Sequence, residues 1–412
     1  MSGSSEFDVL VVGAGAFGLS TALHLKRRGV SSVALIDKNP FPSLDAASND
    51  TSRIVRPDYP DAFYANLGRE TFNAWTSDPA FRPAFHKTGR IMAGLPGDGF
   101  VAATLETLQS IGVPGLEPLD GAQVARRWNG LNGPMEDWNM YYNPEAGWAN
   151  ARQGLELAMK EYVRLGGHFL VENITSLLQE GQSVTGVYTA SRKLHRAKKV
   201  VVAAGAYTPQ LVPRIGTQIH PVGFAIAHWR LDEKEQETWK DHPVVDLHHN
   251  GYFFPPNSSG LMKMGVGMAG YGNAPDENGV SKPLRCHDRI PAAAEKHIRW
   301  ILSQTAPALA AKEFFDVKVC WDGMTADGHW LISAHPELEG LYVAAGGSGH
   351  GYKFLPIIGN YIADLLDGAL GADFEAKWRW REGTSEPRDV IQGRPIVDLN
   401  LALGARNGIA KL

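Results

Sequence analysis

The run Phe7-Asp-Val-Leu-Val-Val-Gly-Ala-Gly-Ala-Phe-Gly18 constrains this chain more than any other segment. An apolar, strand-forming stretch ends at Gly13. Gly13, Gly15 and Gly18 then complete G-x-G-x-x-G, and Leu19 to Arg28 reads as an amphipathic helix. A second apolar strand, Ser32 to Asp37, ends in an acid. Each part has a physical role. Gly13 permits the tight strand-to-helix turn, Gly15 lets backbone approach a pyrophosphate, and Gly18 packs helix against strand. The helix N-terminus offers free N–H groups to phosphates, and Asp37 is placed for ribose hydroxyls. The complete frame predicts a β-α-β dinucleotide-binding unit over about the first 40 residues.

Composition narrows the class. The 412 residues are 44% hydrophobic, ample for a large core and two lobes. Net charge is −4 with both signs interspersed, so no basic stripe points to nucleic acid and no polybasic segment to a membrane. No apolar run approaches the ~20 residues of a bilayer span. The two cysteines, Cys286 and Cys320, form neither a disulfide framework nor a zinc-type pairing, and suit a reducing compartment. No metal site is expected. Met1 to Glu6 lack a signal-peptide pattern. Ala410-Lys411-Leu412 is a one-residue variant of the S-K-L address, so peroxisomal localisation is expected, with cytoplasmic as the alternative.

The chain reads as two interleaved lobes. After the nucleotide unit, Phe41 to Tyr59 is polar and turn-rich. A helix is predicted over 62–75, a strand over 90–94, and a helix over 147–165 stopped by Gly166-Gly167. Strands follow over 168–172, 183–190 and 198–203. The last is an apolar run closing on Gly205, of the kind that returns to a first sheet beside a flavin cofactor. Residues 219–317 read as a second lobe, with strands over 224–231, 252–256 and 261–266 and a helix over 292–304. A further buried strand from Leu341 leads into Gly346-Gly-Ser-Gly-His-Gly351, and a helix is predicted over 357–366. From about Phe374 the chain reads as a Trp/Arg-rich, loop-like wrap.

Three segments carry candidate chemistry. Cys320 begins Cys-Trp-Asp-Gly-Met-Thr-Ala-Asp-Gly-His-Trp-Leu-Ile-Ser-Ala-His-Pro336. By itself a lone strand cysteine is a small hydrophobe or a reactive thiol. Lys263 interrupts the apolar strand Leu261 to Val266. It is either an edge lysine facing solvent or a buried cation with a function. Arg53 and Arg56 sit three apart in Thr51-Ser-Arg-Ile-Val-Arg-Pro-Asp-Tyr59, as surface loop arginines or as an anion fork.

These segments together resemble the monomeric sarcosine oxidase family, which includes pipecolate oxidase, fungal saccharopine oxidase and the fructosyl-amino-acid oxidases (amadoriases). The resemblance rests on the cysteine followed by Thr-x-Asp, an apolar triplet and His-Pro. It rests also on Gly-Ser-Gly-His-Gly-Tyr-Lys-Phe354 and on the Arg-Ile-Val-Arg segment, and it runs from residue 7 to about residue 381. Lys377-Trp-Arg-Trp-Arg381 and the Ala-Lys-Leu ending are most like the amadoriase branch.

The resemblance implies an FAD enzyme with the flavin attached through its 8α-methyl to Cys320, while Cys286, in a polar loop, stays unattached. It implies that Lys263 activates oxygen, that Arg53 lies at the flavin, and that Arg56 and Lys353 bind a substrate carboxylate. The expected FAD cradle comprises Gly13, Ala14, Gly15, Phe17, Gly18, Asp37, Lys38 and Ser48. Arg53, Gly205, Cys320, Gly347, Gly349, His350, Gly351 and Lys353 complete it. Trp321 stands where sarcosine oxidases carry methionine and is expected to alter the pocket roof. Tyr252 and Phe254 line an aromatic pocket or belong to the core. Many amadoriases lack the R-x-x-R pattern, so its presence favours a simple carboxylate substrate. Val266-Gly267 replaces a histidine common in the sarcosine-oxidase branch, which weighs against sarcosine.

The expected fold is α/β: a Rossmann-type FAD-binding domain (1–90, 147–217 and 318–381), interleaved with a substrate domain of mixed or antiparallel sheet plus helices (91–146 and 218–317). A tail covers 382–412. The expected activity is oxidation of a secondary amine, an N-substituted or cyclic amino acid, to an imine with release of H2O2 by a monomer. The alternatives are an amadoriase, a biosynthetic oxidase whose imine is captured, and an FAD dehydrogenase that hands electrons to a carrier.

Overall fold

In the computed structural model, residues 5–274, 281–381 and 390–404 are described. The strand Ser5–Val12 pairs in parallel with Val33–Asp37 on one side and Leu194–Val202 on the other. The predicted return of the apolar run before Gly205 is therefore met, with Val12 opposite Val202. Leu341–Ala345 extends the sheet in parallel beside Leu194–Val202, and His168–Val171 lies beyond Val33–Asp37. An antiparallel meander, Ile174–Glu180 and Ser183–Thr189, flanks it. Parallel strands buried on both faces need apolar side chains throughout. Leu10, Val11, Leu35, Ile36, Val200, Val201 and Val343 are all fully buried. The helices Ala16–Arg27, Ala151–Arg164 and Ile358–Leu366 pack together over one face.

Among the described residues the second sheet has eleven strands around His220–Arg230. It is mostly antiparallel, with parallel pairings between Val244–Leu247 and Arg90–Gly94 and between Gly270–Gly272 and Arg394–Asp398. The helix Ala292–Thr305 covers its core through Ile298, Ile301 and Leu302. The mixed α/β architecture is thus as expected.

Four local readings change. The predicted helix from Gly147 is a strand, Gly147–Ala149, and then a helix, Ala151–Arg164. Asn150 separates them by accepting a hydrogen bond from Gln153 N, an N-cap that fixes the helix start. Arg53–Val55 is a short strand antiparallel to Gly147–Ala149, not a loop. Lys318–Met324 pairs with His220–Arg230, so Cys320 is carried by the second sheet and not by the nucleotide-binding one. The tail is more ordered than its composition suggests. Ala372–Trp378 is a helix with Trp378 fully buried, and Arg394–Asp398 joins the second sheet. The tripeptide Ala410-Lys411-Leu412 lies outside the described residues.

Candidate active site

A cavity of about 860 Å3 is walled by residues from both large sheets. At one end lies the glycine turn. Gly13 has φ +104°, and a Cβ there would lie 2.5 Å from Ala203 O. A Cβ on Gly18 would lie 1.8 Å from Gly13 O, so the helix approaches the strand as the fingerprint requires. Ala14 and Gly18 stand behind the wall and shape the turn, while Gly13, Gly15 and Phe17 face the cavity. The helix has no side-chain cap and no acid in its first turn, which leaves its N–H groups for an anion. Asp37 lines the cavity, oriented by Ala14 N at 2.9 Å and Asn39 N at 3.0 Å. Ser48 Oγ is buried beside Gly15 without a hydrogen-bond partner among the described residues. Lys38 is held over the Tyr207 ring at 3.7 Å and pairs with Asp45. An open N-terminus, a ribose acid and an orphan hydroxyl fit a dinucleotide with a pyrophosphate.

Cys320 lies further along the wall, with Arg53 Nη2 3.7 Å from its Sγ. Burial pushes the thiol pKa up, and Arg53 opposes that shift. Arg53 also donates to Asp50 and to Ala47 O. Lys263 is not in the cavity wall. Its ammonium is buried and donates to Asp50 Oδ2 and Ser52 O, each at 2.7 Å. The solvent-facing alternative is therefore excluded. Burial first, and the repulsion of Arg53 second, lower its pKa to about 7. Burial disfavours ionisation of Asp50, but Arg53 and Lys263 outweigh it and hold the carboxyl well below its usual range.

Arg56 and Lys353 meet at Tyr59. The Arg56 guanidinium lies 4.5 Å from the Tyr59 ring centre and donates to Asp58 O. Lys353 Nζ donates to Tyr59 OH at 2.7 Å and to His350 O at 2.8 Å. His350 Nε2 faces Gly328 O at 2.9 Å, and a carbonyl oxygen only accepts. Burial holds this imidazole neutral, so Nε2 carries the proton and Nδ1 accepts from Tyr59 OH at 3.0 Å. Lys353, Tyr59 and His350 thus form one directed chain. Burial, Arg56 and Arg90 push the Lys353 pKa well below its ordinary value.

The remaining wall is partly aromatic. Tyr252 lines it, and burial raises its pKa to about 12. Trp321 also lines it, fixed by Nε1–H donating to Leu284 O at 2.6 Å. Phe254 is a core residue packed with Trp148. Gly205, Gly347, Gly349, His350 and Gly351 border the cavity. Cys286 lies in the polar loop expected, but its side chain is buried there with the thiol on Arg289 O, and it stands outside the wall.

Sequence reasoning missed Asp50, Arg90, Asp246, Gln392 and Arg394. Arg90 is fully buried between Asp58 at 2.8 Å and Asp246 at 2.6 Å. Its signal was available: like Lys263, it is a cation in an apolar strand. Asp322 lines the cavity and accepts from Gly323 N and Gly349 N, and burial raises its pKa. Among the described residues no cluster of three potential metal ligands occurs, and no helix is long and apolar enough to cross a membrane.

The model of the FAD dependent oxidoreductase family matches residues 8–365. The chain belongs to that family. It is 30% identical to the L-saccharopine oxidase of Schizosaccharomyces pombe over 404 residues, covering 91% of this chain and 93% of that protein. It is 26% identical over 379 residues to a monomeric sarcosine oxidase of Arthrobacter, covering 89% of this chain and 93% of that one. Among solved structures, the fructosamine oxidase Amadoriase II of Aspergillus fumigatus superposes with a TM-score of 0.85 at 31% identity, covering 92% and 91% of the two chains. The resemblance noted from the motifs therefore extends over nearly the whole chain, and FAD is the cofactor the cradle serves.

Proposed function

We propose that this chain oxidises the C–N bond of a secondary amine, an N-substituted or cyclic amino acid, and releases H2O2. One observation carries the reading. Arg56 and Lys353 converge on Tyr59 in the cavity wall, and among the described residues neither has a carboxylate side chain as partner. Two such cations suit a substrate carboxylate, the guanidinium offering parallel donors and the ammonium a point charge.

FAD, when bound, supplies a two-electron acceptor that returns its electrons to O2. The protein's contributions are orientation, charge and exclusion of water. Arg56 and Lys353 hold the carboxylate and so fix the neighbouring carbon and nitrogen. The Lys353-Tyr59-His350 chain locks the lysine's direction. Trp321 and Tyr252 supply apolar surface over the amine, which must be neutral to lose hydride. Arg53 favours the thiolate form of Cys320 needed for a thioether to the flavin methyl. Lys263, tied through Asp50 to Arg53, keeps a positive field behind the wall and favours reduction of O2. The segments 1–90, 147–217 and 318–381 are read as serving the cofactor, with Lys318–Met324 contributed through the second sheet, and 91–146 and 218–317 as serving the substrate. A monomer in the peroxisome, addressed by Ala410-Lys411-Leu412, suits a peroxide producer.

The test is a panel of sarcosine, N-methyl aromatic amino acids, pipecolate, saccharopine, fructosyl-glycine and fructosyl-valine. It measures anaerobic flavin bleaching and peroxide under air. Bleaching with peroxide on a simple secondary amino acid supports the proposal. Preference for the fructosyl adducts replaces it with the amadoriase reading. Bleaching without peroxide replaces it with a dehydrogenase.

A further inference from the structure

The acids of the cavity wall are matched by cations, with one exception. Asp45 pairs with Lys38, Asp246 with Arg90, Asp327 with Arg381, Asp61 with Lys377 and Glu172 with Lys193. Asp37 stands at the nucleotide turn, where a ribose is expected. Asp322 makes no ion pair among the described residues. Its oxygens accept from Gly323 N at 2.8 Å and from Gly349 N at 2.7 Å. Two N–H groups fix the direction of a carboxylate and leave lone pairs on it free. An anion held in this way without a cation is unfavourable in a largely enclosed wall and becomes favourable when a ligand supplies one.

Two elements set its position. Side chains alternate along Lys318–Met324, so Cys320 and Asp322 share a face, about 7 Å apart along the strand, and both border the cavity. The glycine turn supplies the rest. A Cβ on Gly347 would lie 3.4 Å from Asp322 Oδ1, so a side chain there would cover the oxygen that glycine leaves open. The turn doubles back, since a Cβ on Gly351 would lie 3.1 Å from Gly347 Cα, and Lys353 follows directly. The carboxylate and one cation of the proposed substrate site are thus held by a single tight turn. The other surroundings of Asp322 are nearly neutral. Val222 stands opposite it on the neighbouring strand, His350 of the turn is uncharged, and Tyr207 of the packed segment Gly205–Gln210 is turned to Lys38. Lys318 and Cys320 lie further along its own strand. Arg53 is the side chain whose charge is felt at Asp322, and Arg53 is tied to Asp50. Burial outweighs Arg53 and the two N–H groups and raises the Asp322 pKa, which makes the carboxylate a better proton acceptor than a free one.

We propose that Asp322 is the counter-ion and proton acceptor for the substrate's amine. A secondary amino acid arrives at neutral pH as a zwitterion, its ammonium separated from the carboxylate by one carbon. Arg56 and Lys353 take the carboxylate, and Asp322 takes the ammonium. One N–H bond breaks, an O–H bond forms on Asp322, and the electron pair stays on nitrogen. The neutral amine can then lose hydride to FAD, and the proton passes from Asp322 to water when the product leaves. This rests on reading Arg56 and Lys353 as the carboxylate site.

The test compares trimethylglycine with 3,3-dimethylbutanoate, which share one shape and differ by a charged nitrogen in place of a carbon. Neither has an amine lone pair to drive hydride loss, so the flavin absorbance change reports binding alone. The holoenzyme should bind the cationic ligand roughly tenfold or more tightly. Asp322→Asn keeps an acceptor for Gly349 N and should remove that preference while still binding the neutral ligand. Asp322→Glu should keep part of it. Where asparagine costs the flavin, Asp322→Ser supplies the neutral variant. A second readout separates proton acceptance from packing. The apparent Kd of the best amine substrate is taken from anaerobic flavin reduction at several pH values. Lys353 acts alike in both proteins, so the ratio of their constants isolates Asp322. Wild type takes the protonated amine and the neutral variant only the free one, so the ratio should rise about tenfold for each unit that pH falls below the amine pKa. Equal binding of the two ligands by the wild type overturns the proposal. So does a preference that survives in the neutral variant, or a ratio that does not change with pH. If the preference depends on Asp322 but no amine bleaches the flavin, the counter-ion stands and the amine-oxidase reading falls.

Discussion

Replacing Lys263 by methionine separates a structural contribution from a catalytic one. The ammonium is 1% exposed and makes two 2.7 Å hydrogen bonds, to Asp50 and to Ser52 O. Methionine has nearly the same length and makes neither. Stripping one partner from a buried ion pair costs about 3–5 kcal/mol when the other charge is stranded. Asp50 is not stranded, because Arg53 still binds it, with Lys318 at 3.8 Å and His228 at 3.9 Å. The loss should therefore approach that of a hydrogen bond to a charged group, about 1.5–3 kcal/mol, and the variant should fold. The kinetic effect should be larger. Removing a preorganised charge from developing negative charge slows the step by roughly a hundredfold to a thousandfold. Stopped-flow mixing of reduced enzyme with oxygenated buffer reads that step, and anaerobic mixing with substrate reads the other half-reaction, which should change little. The lysine's proton adds a signature. With its pKa brought to about 7, the charge is present below that pH and lost above it. Wild-type reoxidation should slow as pH rises through about 7, and the methionine variant should be flat. Stability moves the opposite way. Between about 7 and the ordinary value of 10.5 the unfolded chain binds the proton and the folded one does not, so this group makes the fold more stable as pH rises. Unchanged reoxidation in the variant would refute the assignment and leave Lys263 as the partner of Asp50 alone.

Other expectations follow from the same geometry. Acid precipitation should leave the flavin on the wild-type chain and release it from Cys320→Ala; complete extraction from the wild type would sink the covalent bond but not FAD binding. Arg56→Ala should raise the dissociation constant for a carboxylate substrate roughly 30-fold or more, with lysine a partial rescue, and should leave FAD affinity intact. Equal discrimination between acid and carboxylate-free analogue by both proteins would remove Arg56 from the site. Binding of a carboxylate ligand should draw a proton onto Lys353, whose pKa burial depresses, so affinity falls as pH rises. Calorimetry in buffers of different ionisation enthalpy measures that uptake, and Lys353→Met should abolish it. Gly18→Ala should yield apoprotein, seen as loss of the flavin absorbance, because its Cβ would overlap Gly13 O.

What the sequence revealed depended on how local the cause was. The nucleotide turn was legible because its constraint is steric and contained within residues 7–37: three glycines, two strands and one helix dictate each other. The buried return strand to Gly205 was legible because continuous apolar runs have few other places to go. Lys263 could be recognised as anomalous, but not explained. Its partner Asp50 is far away in the chain, and two bonds to that distant segment decide which way it faces. Arg90 is the same kind of case, satisfied by Asp58 and Asp246 across strands that pair only in the folded state.

The tail shows the opposite limit. Polar, Gly- and Pro-containing sequence after Phe374 argues locally for loop, and no periodicity in residues 390–404 contradicts that. Its strand exists because Gly270–Gly272 offers an edge, and tertiary pairing overrides weak propensity. Arg394 and Gln392 reach the cavity wall only because that edge is there, and the edge belongs to the sheet that also carries Lys263 and Cys320.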